Sequence, residues 1–573
     1  MLDKGVNVYI LGIWDGHDSG AALLEDGRIL FAANEERYTK RKLEVAFPRN
    51  SIIAALSASG ISPRDIDAVA FSTTEFTKTL SRVFPWQKES YYLFRRRKMS
   101  RPRLESLRHY AKYSMTGVGV LPLCRGISEA AVRKELRHMG FEKFRLYAIE
   151  HHTAHAATAA FTSGFRKALV ITLDGLGDGL SGTVSTFSKG RLRRHYTIPA
   201  KDSIGIFYEQ VTNIVGMREL EDEGKVMAMA DYSYPFSFGE NRLKDFFTLD
   251  GLRIKARYGP LKQYDLLSRI AWSMPREQFS YMAQQLLERM LTKFVDSAIK
   301  EFGIGAVAFA GGVMSNVKAN MKARNLGGLK DMYIFPHMGD GGLALGSALY
   351  ANYMLNGTSA YPFEGAYLGN EYSTARVKDA LKGTKGIKYE EDSDAPRHAA
   401  DLITHGEYVF WFNGRMEYGP RALGNRSILA ASGSDDVKDR LNLYVKKREW
   451  YQPFAPSMLK EDAPRLLHSV KTYDRFMTTA YRVREEQSQI MKSVVHIDMT
   501  ARPQMLENEN RDYRRLLQGI RKKTGYGVVL NTSFNIHGMP IVLSPEDALY
   551  TMKKTKTRHM FLNGYYVENK EAA

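Results

Sequence analysis

Apolar and polar positions alternate along the chain in blocks that predict its elements in order. Residues 8–13 (VYILGI) form a β-prone apolar run, 15–20 (DGHDSG) a polar, glycine-rich loop, and 21–24 a second run. Asp26-Gly27 makes a hairpin turn into a third run at 28–33. The layout returns at 168–192, with a strand at 169–173, a loop at 174–179 (DGLGDG), a strand at 183–187, a turn at Lys189-Gly190 and a strand from Arg191. An Asp-Gly step opens the loop in both copies, at Asp15-Gly16 and Asp174-Gly175, which predicts an internal duplication. A helix is expected near 128–139 between the copies, and helical, Met-rich sequence after the second copy to about residue 300.

Downstream, apolar runs end in glycine. Residues 305–316 (GAVAFAGGVMSN) predict a strand that meets Gly311-Gly312 and a helix opening near Asn316, a step where backbone can approach a flat ligand or a phosphate. Asp340 lies in a glycine loop (PHMGDGG, 336–342) ahead of a small-residue helix. Residues 356–375 have little periodicity and predict a linker between a domain at 1–355 and one at 376–573. In the second domain the apolar run 408–412 opens into NGRMEYGPRALGNRSILA (413–430), where Arg415, Arg421 and Arg426 stand among glycines. Lys446, Arg448 and Arg502 follow, and residues 527–542 end a strand in Asn531, Thr532 and Ser533. Arginine forks beside exposed backbone N–H groups suit a tetrahedral oxyanion or a triphosphate, which predicts one anion pocket built from several loops.

Composition narrows the chemistry. At 573 residues the chain should hold two or more domains. No apolar run approaches a membrane span, the N-terminus reads as a first strand rather than a secretion signal, and the single cysteine, Cys124, fits a reducing cytoplasm. With 82 basic against 63 acidic residues the formal charge is +19, which favours anionic ligands without choosing among nucleotides, phosphorylated metabolites, lipid and nucleic acid. A dense part of that excess lies at 91–114, with eight Lys or Arg against Glu105. It suits RNA, a membrane surface or a solvated insertion.

With cysteine excluded, a metal must use histidine and carboxylate. In EHHTAHAATAA (150–160) the alanine content favours helix, and His151 and His155, four residues apart, share a face and can share a cation. Asp174 and Asp340 are carboxylates that the fold can bring to the same point, a mixed N/O set suited to Zn, Fe or Mn. The alternative is a pair of solvated or backbone-bonded histidines.

Acidic-glycine hairpins in duplicate resemble the actin, hexokinase and Hsp70 ATPase fold. Taken with GGVMSN, GDGGLALGSAL, GRMEYGPRALGNRS, HIDMTARPQ and LNTSFNIHG, the chain is similar to the O-carbamoyltransferases, the group that includes nodulation-factor and antibiotic-tailoring enzymes. The resemblance implies an α/β protein. Its N-terminal domain would share the duplicated actin-like fold of the tRNA threonylcarbamoyltransferase, and its C-terminal twisted-sheet domain would be similar to threonylcarbamoyl-adenylate synthases. It further implies that carbamoyl phosphate and ATP, with Mg2+, form carbamoyl adenylate in the second domain, and that the first transfers the carbamoyl group to a hydroxyl of a small-molecule acceptor. His151, His155, Asp174 and Asp340 match the family's metal ligands, with iron(II) as the implied metal, and His17 and Lys42 fall on transfer-site positions. Gly311, Gly312 and Asn316 match the adenosine step, and Arg421, Arg426, Lys446, Asn531 and Ser533, with Arg502 beside them, match carbamoyl-phosphate and ATP positions. The Glu223-Gly224-Lys225 element departs from the family's usual turn. The basic stretch hints at an anionic or lipid-associated acceptor, and no obligate nucleic acid is expected. A tRNA-modifying transferase and a lapsed actin-fold ATP-binding module are the alternatives.

Overall fold

Two five-stranded sheets with the same topology organise the first part of the computed structural model, which describes residues 7–96 and 120–572. In the first, β1 (Tyr9–Trp14), β2 (Gly20–Glu25) and β3 (Arg28–Asn34) form an antiparallel meander. Beyond β1, β4 (Ala68–Ser72) and β5 (Arg145–Ile149) add in parallel, giving the order β3-β2-β1-β4-β5. In the second, β6 (Lys167–Gly177), β7 (Leu180–Ser188) and β8 (Arg191–Pro199) repeat the meander. A separate hairpin, β9 (Phe247–Asp250) with β10 (Arg253–Ala256), intervenes before β11 (Ala306–Ala310) and β12 (Asp331–Ile334) add in parallel beyond β6. Strand for strand the two sheets correspond, so the predicted duplication is a duplication of the whole sheet.

Two expectations change. The loop foreseen at 174–179 is largely strand, because β6 continues to Gly177 across a bulge after Leu173. The stretch expected to be helical up to residue 300 contains the β9–β10 hairpin, whose Leu249, Leu252 and Ile254 join the core packed by Phe207, Phe279 and Phe294, so tertiary burial overrides weak local propensity.

Helices His151–Thr162 and Leu343–Asn356 pack together at close range. Their small residues permit it: a Cβ on Gly346 would lie 2.1 Å from the Ala154 carbonyl oxygen. The alanine-rich sequences of both helices are thus a packing requirement, and they bring the N-terminal ends of these helices to one place.

The chain divides into two compact units, Met1–Glu35 with Leu43–Phe363, and Glu36–Lys42 with Glu364–Ala573. The division after Phe363 falls within the expected linker, because residues beyond Gly357 still belong to the first core: the Tyr361 N–H donates to Phe161 O (2.9 Å) and Phe363 packs on Phe335. The excursion Glu36–Lys42 was not foreseen. Arg37 Nη2 donates to Gly419 O (2.9 Å), Tyr38 Oη to Asn370 Oδ1 (2.5 Å), and Lys40 pairs with Asp547, all within the second unit.

The second unit is built on an eight-stranded mixed sheet, with β13 (Ile387–Glu391), β14 (Val409–Phe412), β15 (Arg426–Ala431), β16 (Ala455–Leu459), β19 (Gln504–Leu506), β20 (Val528–Ser533), β21 (His559–Leu562) and β22 (Tyr565–Asn569) in the order β13-β22-β21-β14-β15-β20-β16-β19. A small pair, β17 (Tyr481–Arg482) and β18 (Thr500–Ala501), stands apart. Both faces are buried. Val409, Trp411, Leu429 and Val529 pack under helices Ala395–Thr404 and Arg511–Thr524, while Phe410, Phe412, Ile428 and Leu530 enter a second core. That is why β14 is apolar at every position. No helix among the described residues is long and apolar enough to cross a membrane.

Candidate metal centre and anion pocket

In the first unit the site is assembled from three element ends. Glu150 caps helix His151–Thr162, accepting from the N–H groups of His152 (3.2 Å) and Thr153 (2.8 Å), so the helix starts at His151 and both His151 and His155 turn inward. Asp174 lies on β6 just past Leu173, its Oδ1 fixed by the N–H of Gly312 at 2.7 Å. Asp340 opens the turn ahead of helix Leu343–Asn356.

One ligand atom from each of His151, His155, Asp174 and Asp340 lies within 4.8 Å of the others, and all four residues are buried. His151 Nε2 is 3.1 Å from Asp174 Oδ2 and 3.7 Å from Asp340 Oδ1; His155 Nε2 is 3.8 and 3.6 Å from the same oxygens. His155 Nε2 is buried without a hydrogen-bond partner. Burial opposes a charge on His151, yet Asp340 and Asp174 outweigh it and push the imidazole up to about 10. Two carboxylates facing two imidazoles with one nitrogen unsatisfied is an arrangement that fits a divalent transition ion. His152 is excluded from it, its Nδ1 facing Thr172 Oγ1 at 2.9 Å.

Behind these groups stands a layer that sequence reasoning missed. The Oγ1 of Thr73 contacts His151 Nδ1 (3.1 Å), and Asp178 accepts from the N–H groups of His151 and Thr74, both at 2.9 Å. Glu75 accepts from the N–H of Asp178 (3.0 Å), and burial, then the Asp178 charge, push it up to about 7. Such partners fix the orientation of a ligating ring. The second acidic residue of DGLGDG was the available signal, and nothing in the sequence paired it with residues 73–75.

His17 Nε2 is 3.4 Å from Asp340 Oδ2. Desolvation lowers its pKa despite Asp340, leaving a neutral imidazole able to accept a proton. Lys42 is carried by the segment that packs with the second unit, where Lys446 feels its charge. Gly311, at φ +102°, lies so close to β6 that a Cβ would meet Leu173 O at 2.1 Å. Asn316 caps helix Val317–Arg324 and exchanges amide hydrogen bonds with Gln284, so its polar atoms are engaged inside the fold.

In the second unit, Arg421 and Arg502 make no hydrogen bond or ion pair with any described residue, and Arg502 Nε is buried and unbonded. Arg448 Nη2 donates to Thr532 Oγ1 (2.7 Å). Burial pushes Arg421 and Arg448 down to about 10 and holds Arg502 well below the ordinary arginine range, and the guanidinium groups repel one another. Lys446 donates to Ser533 O (2.7 Å) and Asn535 Oδ1 (2.5 Å); burial, then Arg448 and Lys42, hold it well below the ordinary lysine range. Asn531 donates to Ala422 O (3.1 Å), and its own Oδ1 is buried and unsatisfied. Clustered cations with unmade hydrogen bonds suit an oxyanion. Arg426 differs. Fully buried and stacked 3.5 Å from the Phe412 ring, it donates to the carbonyls of Asn413, Gly414, Asn425 and Asn370 and so shapes the loop, while its Nε is buried and unbonded.

Comparison with known proteins matches both parts of the chain. The family profile described as Carbamoyltransferase N-terminus matches residues 9–349, and that described as Carbamoyltransferase C-terminus matches 400–569. Nodulation protein NolNO of Sinorhizobium fredii is 32% identical over 570 residues, covering 97% of this chain and 80% of the relative. Nodulation protein NolO of Bradyrhizobium diazoefficiens is 34% identical over 439 residues, 74% of this chain and 80% of the relative. The 3'-hydroxymethylcephem-O-carbamoyltransferase of Amycolatopsis lactamdurans is 30% identical over 331 residues, 56% of this chain and 60% of the relative. The chain belongs to the O-carbamoyltransferase family and is a carbamoyl-transferring enzyme.

Proposed function

We propose that in the second unit water cleaves carbamoyl phosphate to carbamate and phosphate and the carbamate displaces pyrophosphate from ATP to give carbamoyl adenylate, and that the first unit passes the carbamoyl group from the adenylate to a hydroxyl of a small molecule, with AMP as the leaving group. The observation that carries this reading is the division of chemistry within one chain: a cluster of buried, mutually repelling arginines in one unit, a histidine–aspartate cage in the other. A carbamoyl carbonyl is a poor electrophile, and adenylation supplies a leaving group. Arg421, Arg448 and Arg502 suit phosphoryl oxygens, and Lys446 and Asn531 complete the polar wall.

His151, His155, Asp174 and Asp340 would hold the metal, iron(II) in our reading, and a metal so held polarises a carbonyl or phosphoryl oxygen, a contribution of several kcal/mol in sites of this type. His17 accepts the proton of the attacking hydroxyl at Nε2, an effect of roughly 10²–10⁴-fold. The similarity to a 3'-hydroxymethylcephem-O-carbamoyltransferase supports a hydroxyl acceptor. The direct test is exchange of labelled pyrophosphate into ATP. We expect exchange only when carbamoyl phosphate is present; exchange independent of it, or none at all, would remove the adenylate from the scheme.

A further inference from the structure

Asp15 is the counterpart in the first repeat of Asp174: Asp15 stands just past the end of β1, and Asp174 stands at the bulge of β6 just past Leu173. The two have diverged in what surrounds them. Asp174 faces histidines, whereas Asp15 faces three cations. Arg82 donates Nε to Oδ2 (3.1 Å) and Nη2 to Oδ1 (2.9 Å), and its remaining N–H groups reach the carbonyls of Thr73 (2.6 Å) and Ser72 (2.8 Å). Arg82 alone therefore neutralises Asp15. Lys78 Nζ (2.9 Å from Oδ1) and Lys88 Nζ (3.0 Å from Oδ2) crowd the same carboxylate. Lys78 and Lys88 are each 9% exposed, so beyond the Arg82–Asp15 pair the cluster holds two further basic groups out of water, more than its one carboxylate can pair. Each ammonium carries three donors, and one bond to Asp15 is shown for each. Lys78 lies 4.5 Å from the centroid of Trp14, whose ring also borders His151 and His17.

A buried excess of positive charge is costly unless an anion completes it. We propose that Lys78 and Lys88 bind a phosphate group carried by the acceptor, seated across the Trp14 ring from the histidine–aspartate centre. This rests on the carbamoyl-transfer reading of that centre and adds the class of acceptor, a phosphorylated hydroxy compound. Lys78 and Lys88 are specificity residues in it: they hold the far end of the acceptor, while His17 faces the hydroxyl.

The test uses the full-length protein and inorganic phosphate, followed by calorimetry. Arg421→Ala with Arg502→Ala first weakens the anion pocket of the second unit, so that the remaining binding reports on the first. In that background Lys88→Gln should lower phosphate affinity about tenfold or more, and Lys78→Met with Lys88→Met should abolish it. Should the double lysine variant fail to fold, Lys88→Gln, which leaves Arg82 paired with Asp15, decides. Unchanged affinity in Lys88→Gln overturns the proposal, as does displacement of the bound phosphate by AMP, which would assign the site to the nucleotide. In turnover, wild type should prefer glycerol 3-phosphate to glycerol and Lys88→Gln should lose that preference; transfer with no such change sinks the acceptor assignment alone. Phosphate binding as described, with no transfer to any hydroxyl, would leave the anion site standing and remove the carbamoyl-transfer reading.

Discussion

At the scale of single residues, the chemistry lies in groups whose ordinary ionisation burial has altered. Lys78 shows the consequence most directly. Burial, opposed by Asp15 and aided by Lys88 and Arg82, pushes it down to about 7. A bound anion favours the charged amine, so binding draws in a proton and must weaken as pH rises through that value. With sulfate, which stays fully ionised, affinity measured in the Arg421→Ala, Arg502→Ala background should fall as pH is raised from about 6 to about 9. A flat profile over that range would show that Lys78 does not face the anion. Legibility at this scale was uneven. His151 and His155 could be paired from spacing alone, and Arg421 and Arg502 from the glycines and strand ends beside them. Asp15 read only as a turn residue, because its partners Lys78, Arg82 and Lys88 come from a distant helical segment and no local pattern ties them to it.

Among elements, the contact between helices His151–Thr162 and Leu343–Asn356 sets the metal centre, since one carries both histidines and the other follows Asp340. Gly346→Ala places a methyl against the Ala154 carbonyl, with no flexible side chain there to yield. It should destabilise the protein by about 1–3 kcal/mol, the usual range for overpacking, and weaken metal binding. Gly126→Ala, in helix Pro122–His138 with nothing near the added carbon, should instead raise stability by up to about 1 kcal/mol. Denaturant unfolding of the two variants reads both signs, and equal effects would dissociate the close contact from stability. The strand repeats were legible because the alternation and Asp-Gly steps recur in order. The β9–β10 hairpin was not, since its residues gain their preference from the core they join. The excursion of Glu36–Lys42 was equally hidden: its hydrogen bonds run to residues more than three hundred positions away.

For the whole molecule, duplication explains why one chain has two differently charged versions of one hairpin end, Asp174 among histidines and Asp15 among lysines. A fold that repeats a sheet repeats its strand-end positions, and substitution around them specialises each. The basic stretch at 91–114 lies outside the described residues from position 97 onward; before it, Arg96 pairs with Glu221 and Arg95 Nη2 reaches Glu219 O (3.4 Å), so part of the basic run is neutralised within the fold. The net charge of +19 is thus unevenly placed, with basic groups gathered at Lys78, Arg82 and Lys88 and at Arg421, Arg448 and Arg502.

The central claim, that activation and transfer belong to different units, is tested most directly by assaying both half-reactions in His155→Ala and Arg421→Ala. The account predicts that His155→Ala loses transfer but keeps carbamoyl-phosphate-dependent pyrophosphate exchange, and that Arg421→Ala loses exchange but still transfers from supplied carbamoyl adenylate. Loss of both half-reactions together in either folded variant would contradict it.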